Sequence, residues 1–342
     1  MQSRFPSLAS CLRLQRSSER ARILATAPHL RAHLRGQALC KTWQMPPPPS
    51  VPIALPRPWA QCPPARLAGV RGVMTDIDDT LTARGRLDPP AASALLRLAA
   101  AGVPVLAITG RPLGWSADLL RTEPAAATLR AVVAENGAVA LLPSAGQIQT
   151  EYAQDTTTRE HNARRLQQVL ARIVAAVPGA VAARDSPGRA TDIAIDHSEF
   201  TQLPADAIAR VVGLMQTAGM NATVSSIHIN GWFGDHDKFT GARWMLRRLF
   251  NRVLDDELAD WVYVGDSTND QAMFGRFELS VGVANLMHFR DQLHTWPAWI
   301  TQGERGAGFA EVADAVLAAR RTPHGAWAVT GPLPARRAGR VQ

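Results

Sequence analysis

Four short apolar runs, each stopping at a cluster of polar residues, constrain this chain more than any other feature. Val70–Asp76 leads into Ile77-Asp78-Asp79-Thr80, and Val103–Thr109 into Gly110-Arg111-Pro112. Ala131–Glu135 leads into Asn136-Gly137, and Trp261–Gly265 into Asp266-Ser267-Thr268-Asn269-Asp270. Runs of this length, apolar on both faces, read as strands buried on both sides. Helical stretches separate them (89–101, 113–121, 238–249, around 272, 310–320, with a further strand 279–283), and this alternation is the pattern of a parallel sheet covered by helices. In such sheets ligands sit where the strands end, so the polar clusters share one crevice. The expected core is therefore α/β, a doubly wound, mostly parallel sheet.

The stretch between the third and fourth runs has a different texture. A long helix (157–177) and an alternating strand (191–196) precede a second helix (205–218) and a strand (221–230). That pattern suggests an α+β unit whose sheet has one solvated face, inserted into the core as a cap over 148–234. The core parts are then 67–147 and 235–321.

Residues 1–66 do not read as a domain. They are rich in Arg, Ser and Ala, then reach Pro46-Pro47-Pro48-Pro49 with five more prolines by Pro64, a density that blocks regular ladders. An organellar targeting segment is one reading and a start codon assigned too early is the other; the lack of an amphipathic pattern favours the second. The tail 322–342 is Pro-, Arg- and Gly-rich and is expected to be loose.

Charge follows the same division. The chain carries +8 overall, but residues 1–70 alone carry +9 and the remainder −1. A neutral body gives no reason to expect nucleic acid as a partner. All three cysteines precede residue 63, so the rest of the body has neither disulfides nor a thiol nucleophile, as suits a cytoplasmic enzyme. No apolar run reaches the ~20 residues that span a membrane, so no membrane partner is expected either.

The clusters themselves suggest chemistry. Asp76 and Asp78, on one side of a turn, repel each other unless a cation joins them or one is protonated, and both outcomes serve phosphoryl transfer. The bland reading is an acidic surface turn. Thr109, Gly110 and Arg111 offer a hydroxyl, an approachable backbone N–H and a guanidinium to an oxyanion, or else merely begin a helix. Lys238 opens a helix and is the only lysine after Lys41. The carboxylates from Asp266 to Asp270 suit an octahedral Mg²⁺; a helix cap explains only part of that string.

Together, in this order, the motifs resemble those of the haloacid dehalogenase (HAD) superfamily of phosphatases over residues 69–320. The resemblance implies Asp76 as nucleophile, Asp78 as general acid/base, and Thr109, Gly110, Arg111, Lys238 and Asn269 around the phosphoryl group. It implies Mg²⁺ held by Asp76, the Asp78 backbone carbonyl and Asp266, with Asp270 in support. The cap position, Glu135-Asn136-Gly137 and Thr109-Gly110-Arg111 resemble the class IIB branch, which implies hydrolysis of a phosphorylated sugar or similar small metabolite. A phosphomutase of the same superfamily is an alternative. A non-catalytic relative is another, and its expected sign, a missing motif residue, is not found. Within the cap, Arg184, Arg189, His228 and Asn230 are candidate substrate contacts, or else ordinary polar positions on a half-exposed sheet.

Overall fold

The computed structural model describes residues 55–144 and 146–321. The apolar runs become neighbouring strands of a nine-stranded sheet. Its order is Arg57–Pro58, Trp299–Ile300, Leu279–Gly282, Trp261–Gly265, Gly72–Thr75, Val105–Ile108, Ala131–Ala134, Val139–Ser144 and Gln147–Tyr152. All pairings are parallel except the last two. The four central strands are buried throughout because helices cover both faces.

One face carries the helices Pro89–Ala100, Leu113–Thr122 and Arg305–Arg321 and the other carries Lys238–Phe250, so that two apolar cores flank the sheet. Pro89–Ala100 shows why such a segment is helical. Proline stands at its first turn, where no N–H partner is lost, and Ala91, Ala94, Leu95 and Leu98 recur at helical spacing on the buried side. Leu95 and Leu98 contribute about 1.5–3 kcal/mol each by leaving water. Leu96, between them, faces solvent.

The inserted unit is a four-stranded antiparallel sheet, Asn221–Val224, His228–Trp232, Asp192–Asp196 and Val181–Ala182, backed by the helices Thr156–Ala176 and Ala205–Thr217. Leu166, Ile173, Ile195, Val211 and Ile229 fill the core between them.

The structure corrects the expectations in four places. Residues 57–66 do not belong to a detached leader: Arg57–Pro58 pairs with Trp299–Ile300, and Trp59 is buried edge-on against Trp299 at 6.2 Å. Cys62 and Leu67 are buried as well, so apolar anchors outweigh the local proline content. The strand expected over 221–230 is a hairpin, turned at Ser225, whose hydroxyl accepts from the His228 N–H at 3.0 Å. Residues 148–152, expected in the cap, belong with Gln147 to the edge strand of the large sheet. It was hidden by its polar composition, which an edge tolerates.

The fourth correction matters most for the site. Asp192–Asp196 and His228–Trp232 are buried at every residue, so no face of the cap sheet is solvated there. The face away from the helices lies on the Gly110 loop of the core. The targeting or start-site reading falls on residues outside those described, as does the tail after Arg321. No helix among the described residues is long and apolar enough to cross a membrane.

Candidate active site

Asp76 follows directly on Gly72–Thr75, and its backbone N–H donates to the Val264 carbonyl at 2.8 Å. The strand end is thus held by its neighbour while the side chain enters the crevice. Lys238 reaches the same point from 162 residues away. Asp237 caps the helix through a reciprocal pair with Thr240, which sets Lys238 at the first helical position. The Lys238 ammonium lies 2.6 Å from Asp76 Oδ1 and 2.7 Å from Asp270 Oδ1.

Asp270 uses both of its oxygens. Oδ1 also accepts from the Tyr263 hydroxyl at 2.5 Å, and Oδ2 accepts from the backbone N–H groups of Asp266 and Ser267. This fold-back requires glycine at 265, where a Cβ would lie 2.5 Å from the Asp270 carboxyl carbon. Asp270 therefore holds the loop and the lysine, and Asp266 is left facing Asp76. Its Oδ1 is buried with no hydrogen-bond partner. Its other oxygen meets Asn285 Nδ2 at 3.4 Å, and the same Asn285 amide grips the Asp79 carbonyl.

The electrostatics of this cluster are unbalanced. Burial, above all, pushes the Asp76 carboxyl up to about 7 against the pull of Lys238, with Asp270 and Asp78 adding repulsion. Burial followed by Asp76 and Asp270 drives Asp266 well above the carboxylate range. Burial alone would lower the Lys238 ammonium, but Asp270 and Asp76 outweigh it and hold it above its usual value. One oxygen from each of Asp76, Asp266 and Asp270 falls within 4.8 Å of the others. Three buried carboxylates against one ammonium, with a carboxylate oxygen that nothing satisfies, fit a hard divalent cation.

Thr109 and Gly110 also lie where the strand ends predict. The Thr109 hydroxyl accepts from the Arg111 N–H at 3.0 Å, leaving its own hydrogen to donate. Asn269 shares a cavity wall with Lys238. Arg111 departs from expectation. Its guanidinium takes Asp78 through Nε at 2.9 Å to both oxygens, and through its other nitrogens takes Asp185 at 3.2 Å and Glu199 at 2.9 Å. Three carboxylates occupy it, so it orients Asp78 and ties the core to the cap.

Of the cap candidates, Arg189 is likewise engaged: Asp192 at 2.9 Å, Asp185 at 3.1 Å and the Gly110 carbonyl at 3.1 Å. Asn230 donates to Asp192 and to the Gly110 carbonyl, and His228 meets Glu199 at 2.9 Å. Arg184 lies exposed over the Phe200 ring. Arg189, Asn230 and His228 form a cap–core joint, and Arg184 stands outside it. Glu135 completes it, accepting from the N–H groups of Leu113, Ala190 and Thr191. Asp185, Glu199, Tyr263, Asn285 and Arg305, whose guanidinium holds Asp79 at 2.8 Å, escaped the sequence reading. All but Tyr263, which lies seven residues from Asp270, have a partner far along the chain.

No protein-family model matches the sequence, and no curated protein matches it. Solved structures do match in shape. Sucrose-phosphatase from Synechocystis sp. PCC6803, solved with sucrose and phosphate, superposes with a TM-score of 0.53 at 15% identity, covering 72% of this chain and 98% of its own. A Plasmodium vivax protein described as a HAD/COF-like hydrolase gives 0.54 at 16% identity, over 73% and 96%. A Thermoplasma acidophilum protein gives 0.54 at 14%, over 72% and 98%. Likeness at these identities shows the fold alone: the architecture of this chain is the one shared by these solved structures, a HAD/COF-like hydrolase among them.

Proposed function

We propose that the chain is a magnesium-dependent phosphomonoester hydrolase that works through an aspartyl-phosphate on Asp76. Its substrate, on this reading, is a phosphorylated sugar or a similar small metabolite. The observation that carries the reading is the convergence on one strand end of Asp76, the Lys238 ammonium 2.6 Å from it, and the under-neutralised Asp266. The fold supports it, and so does the arrangement of Asp78 two residues on.

Asp76 attacks phosphorus with one carboxylate oxygen while the bond from phosphorus to the leaving oxygen breaks. Asp78 gives its proton to that oxygen, and the alcohol departs. Asp78 then takes a proton from water, whose oxygen attacks the same phosphorus. The bond to Asp76 breaks, inorganic phosphate leaves, and both carboxyl groups return to their starting states. Lys238, Thr109 and the backbone at Gly110 and Asn269 hold the phosphoryl oxygens, and Arg111 keeps Asp78 in line. Asp76, the Asp78 carbonyl and Asp266 would hold Mg²⁺, which when bound screens the charge between carboxylate and phosphate.

The test is Asp76→Asn, assayed by phosphate release from p-nitrophenyl phosphate and a panel of sugar phosphates, with folding checked by circular dichroism. The isosteric amide keeps the packing and removes the nucleophile, so activity should fall by at least about a thousandfold. A folded variant within threefold of wild type refutes the covalent mechanism. Transfer of the phosphoryl group back to the alcohol without net phosphate release would favour a mutase instead.

A further inference from the structure

Asp76 and Asp78 are held from different parts of the molecule. Among the described residues every partner of Asp76 belongs to the core: Lys238, Thr75 and the Val264 carbonyl. The Asp78 carboxylate has a single partner among the described residues, Arg111, whose Nε–H is shared between both oxygens at 2.9 Å. One shared N–H sets the plane of a carboxyl group and leaves each oxygen a lone pair on which a proton can sit.

Arg111 is in turn aimed by the cap. Its guanidinium is buried, and apart from Asp78 the core offers it the face of Trp115, whose ring centroid lies 4.8 Å from Cζ. A ring face sets a distance but no direction within its plane. Direction comes from two cap carboxylates, Glu199 at 2.9 Å from Nη2 and Asp185 at 3.2 Å from Nη1. Both are anchored. Glu199 meets His228 Nε2 at 2.9 Å, and its backbone N–H donates to Asp196 at the end of strand Asp192–Asp196. Asp185 is held by Arg189 at 3.1 Å. A planar fork with carboxylates on all sides cannot turn without losing one of them.

The other ties between cap and core bypass Glu199. Arg189 and Asn230 reach the Gly110 carbonyl at 3.1 and 3.3 Å, and Glu135 accepts from the N–H groups of Ala190 and Thr191. Thr268 of the core donates to the Val224 carbonyl at 2.6 Å. Docking is thus secured several times over, whereas the Glu199 carboxylate has one target in the core, Arg111.

We infer that Glu199, assisted by Asp185, is a positioning residue for Asp78: through Arg111, the cap aims the group that protonates the leaving oxygen. This role presupposes the phosphatase reading, in which Asp78 is that group. Without Glu199 the nucleophile and Lys238 remain in place and the acid loses its direction. The loss then falls on the step in which the bond from phosphorus to the leaving oxygen breaks while that oxygen takes the Asp78 proton. Phenoxide, a strong base, needs that proton; p-nitrophenolate, a stabilised anion, departs without it.

Phosphate release by the full-length protein in Mg²⁺ gives kcat/KM for phenyl phosphate and for p-nitrophenyl phosphate. This constant covers the steps up to departure of the alcohol, so hydrolysis of the aspartyl-phosphate, common to both esters, drops out. Asp78→Asn, the reference for a lost acid, should lose about a hundredfold on phenyl phosphate and far less on p-nitrophenyl phosphate. Glu199→Ala should show the same selectivity in smaller measure, about tenfold against less than threefold. Glu199→Gln, which keeps the packing, should lose about threefold on phenyl phosphate alone, and it decides the matter if the alanine variant unfolds. Equal losses on the two esters overturn the assignment, because a merely structural role weakens both alike. Values for phenyl phosphate within twofold of wild type in the folded Glu199 variants overturn it too. An unselective Asp78→Asn would instead refute Asp78 as the acid, and wild type that releases phosphate from neither ester would refute the phosphatase reading itself.

Discussion

Asp266→Asn should make the metal-free protein more stable while abolishing its response to Mg²⁺. Asp76 and Asp266 are 3% and 1% exposed and lie beside Asp270, and Lys238 pairs with Asp76 and Asp270 but not with Asp266. For an acid whose folded value is raised, the penalty is absent below the unfolded value, grows with pH, and is complete above the folded value. Moving the Asp76 carboxyl from 3.8 to about 7 corresponds to about 4 kcal/mol at neutral pH. Asp266 rises well above its ordinary value by the same burial, with a partnerless oxygen besides.

The substitution removes a buried charge with a partnerless oxygen and leaves an amide that must itself be buried, so we expect a net gain of roughly 2 kcal/mol. For a body of this size that is about 4–8 °C in Tm. Wild type should recover stability from Mg²⁺ instead, about 2.7 kcal/mol at a hundred times the dissociation constant. The assay is thermal unfolding in EDTA and in Mg²⁺ from pH 5 to 8. Wild type in EDTA should lose stability as pH rises through this window, and the variant should lose less. A metal-free variant less stable than wild type, or one that keeps the full Mg²⁺-induced rise, refutes the reasoning.

Glu199→Gln should weaken the cap–core joint. Burial raises this carboxyl, but hydrogen bonds from His228 and Arg111 outweigh it and hold it down to about 2. The stabilisation is therefore present above about pH 4.5 and is lost as pH falls towards 2. Discounted for a side chain one-fifth exposed, it amounts to about 1–2 kcal/mol. Urea denaturation should show a gap between wild type and variant at pH 6 that narrows by pH 3; a gap that widens overturns the assignment. Trp59→Ala should cost about 3–5 kcal/mol in the same assay, because the indole is buried against Trp299. A cost below 1 kcal/mol would return residues 57–66 to the leader.

The chemistry-bearing residues were legible because strand and site coincide in the chain. Asp76, Thr109, Glu135 and Asp266 each follow an apolar run immediately, so the local pattern that makes the strand also marks its end. What could not be read lies in long-range pairing. Nothing near Arg111 announces that Asp185 and Glu199, 74 and 88 residues on, will occupy its guanidinium. Arg305, 226 residues from Asp79, reads as a surface charge at a helix start. The cap strands misled for a related reason. Asp192, Asp196, His228 and Asn230 alternate with apolar residues as solvent-facing positions do, but their polar face is turned to the core, and their hydrogen bonds replace water. Periodicity reports which face is polar and is silent about what that face meets.

The same exchange of water for partners separates two jobs within the cleft. On the Arg111 side, Asp78, Asp185, Asp192 and Glu199 are matched by Arg111, Arg189 and the His228 ring, a closed set in which nearly every donor is taken. Such a set fixes the cap over Gly110 but has little left to offer a ligand. It also resists loss of single members, because a buried charge stripped of its partner is costly. On the Lys238 side the balance is reversed: neutral groups predominate, several are unpaired, and aromatic packing rather than ion pairs holds the wall. Gly137 links the two sides. It adopts φ +110°, and a Cβ there would lie 2.1 Å from the Asp237 carbonyl, so the turn that begins with Glu135 can pack against the segment carrying His236 and Lys238 only without a side chain. Glu135 thereby anchors the joint while its own turn packs against the start of the helix that carries Lys238.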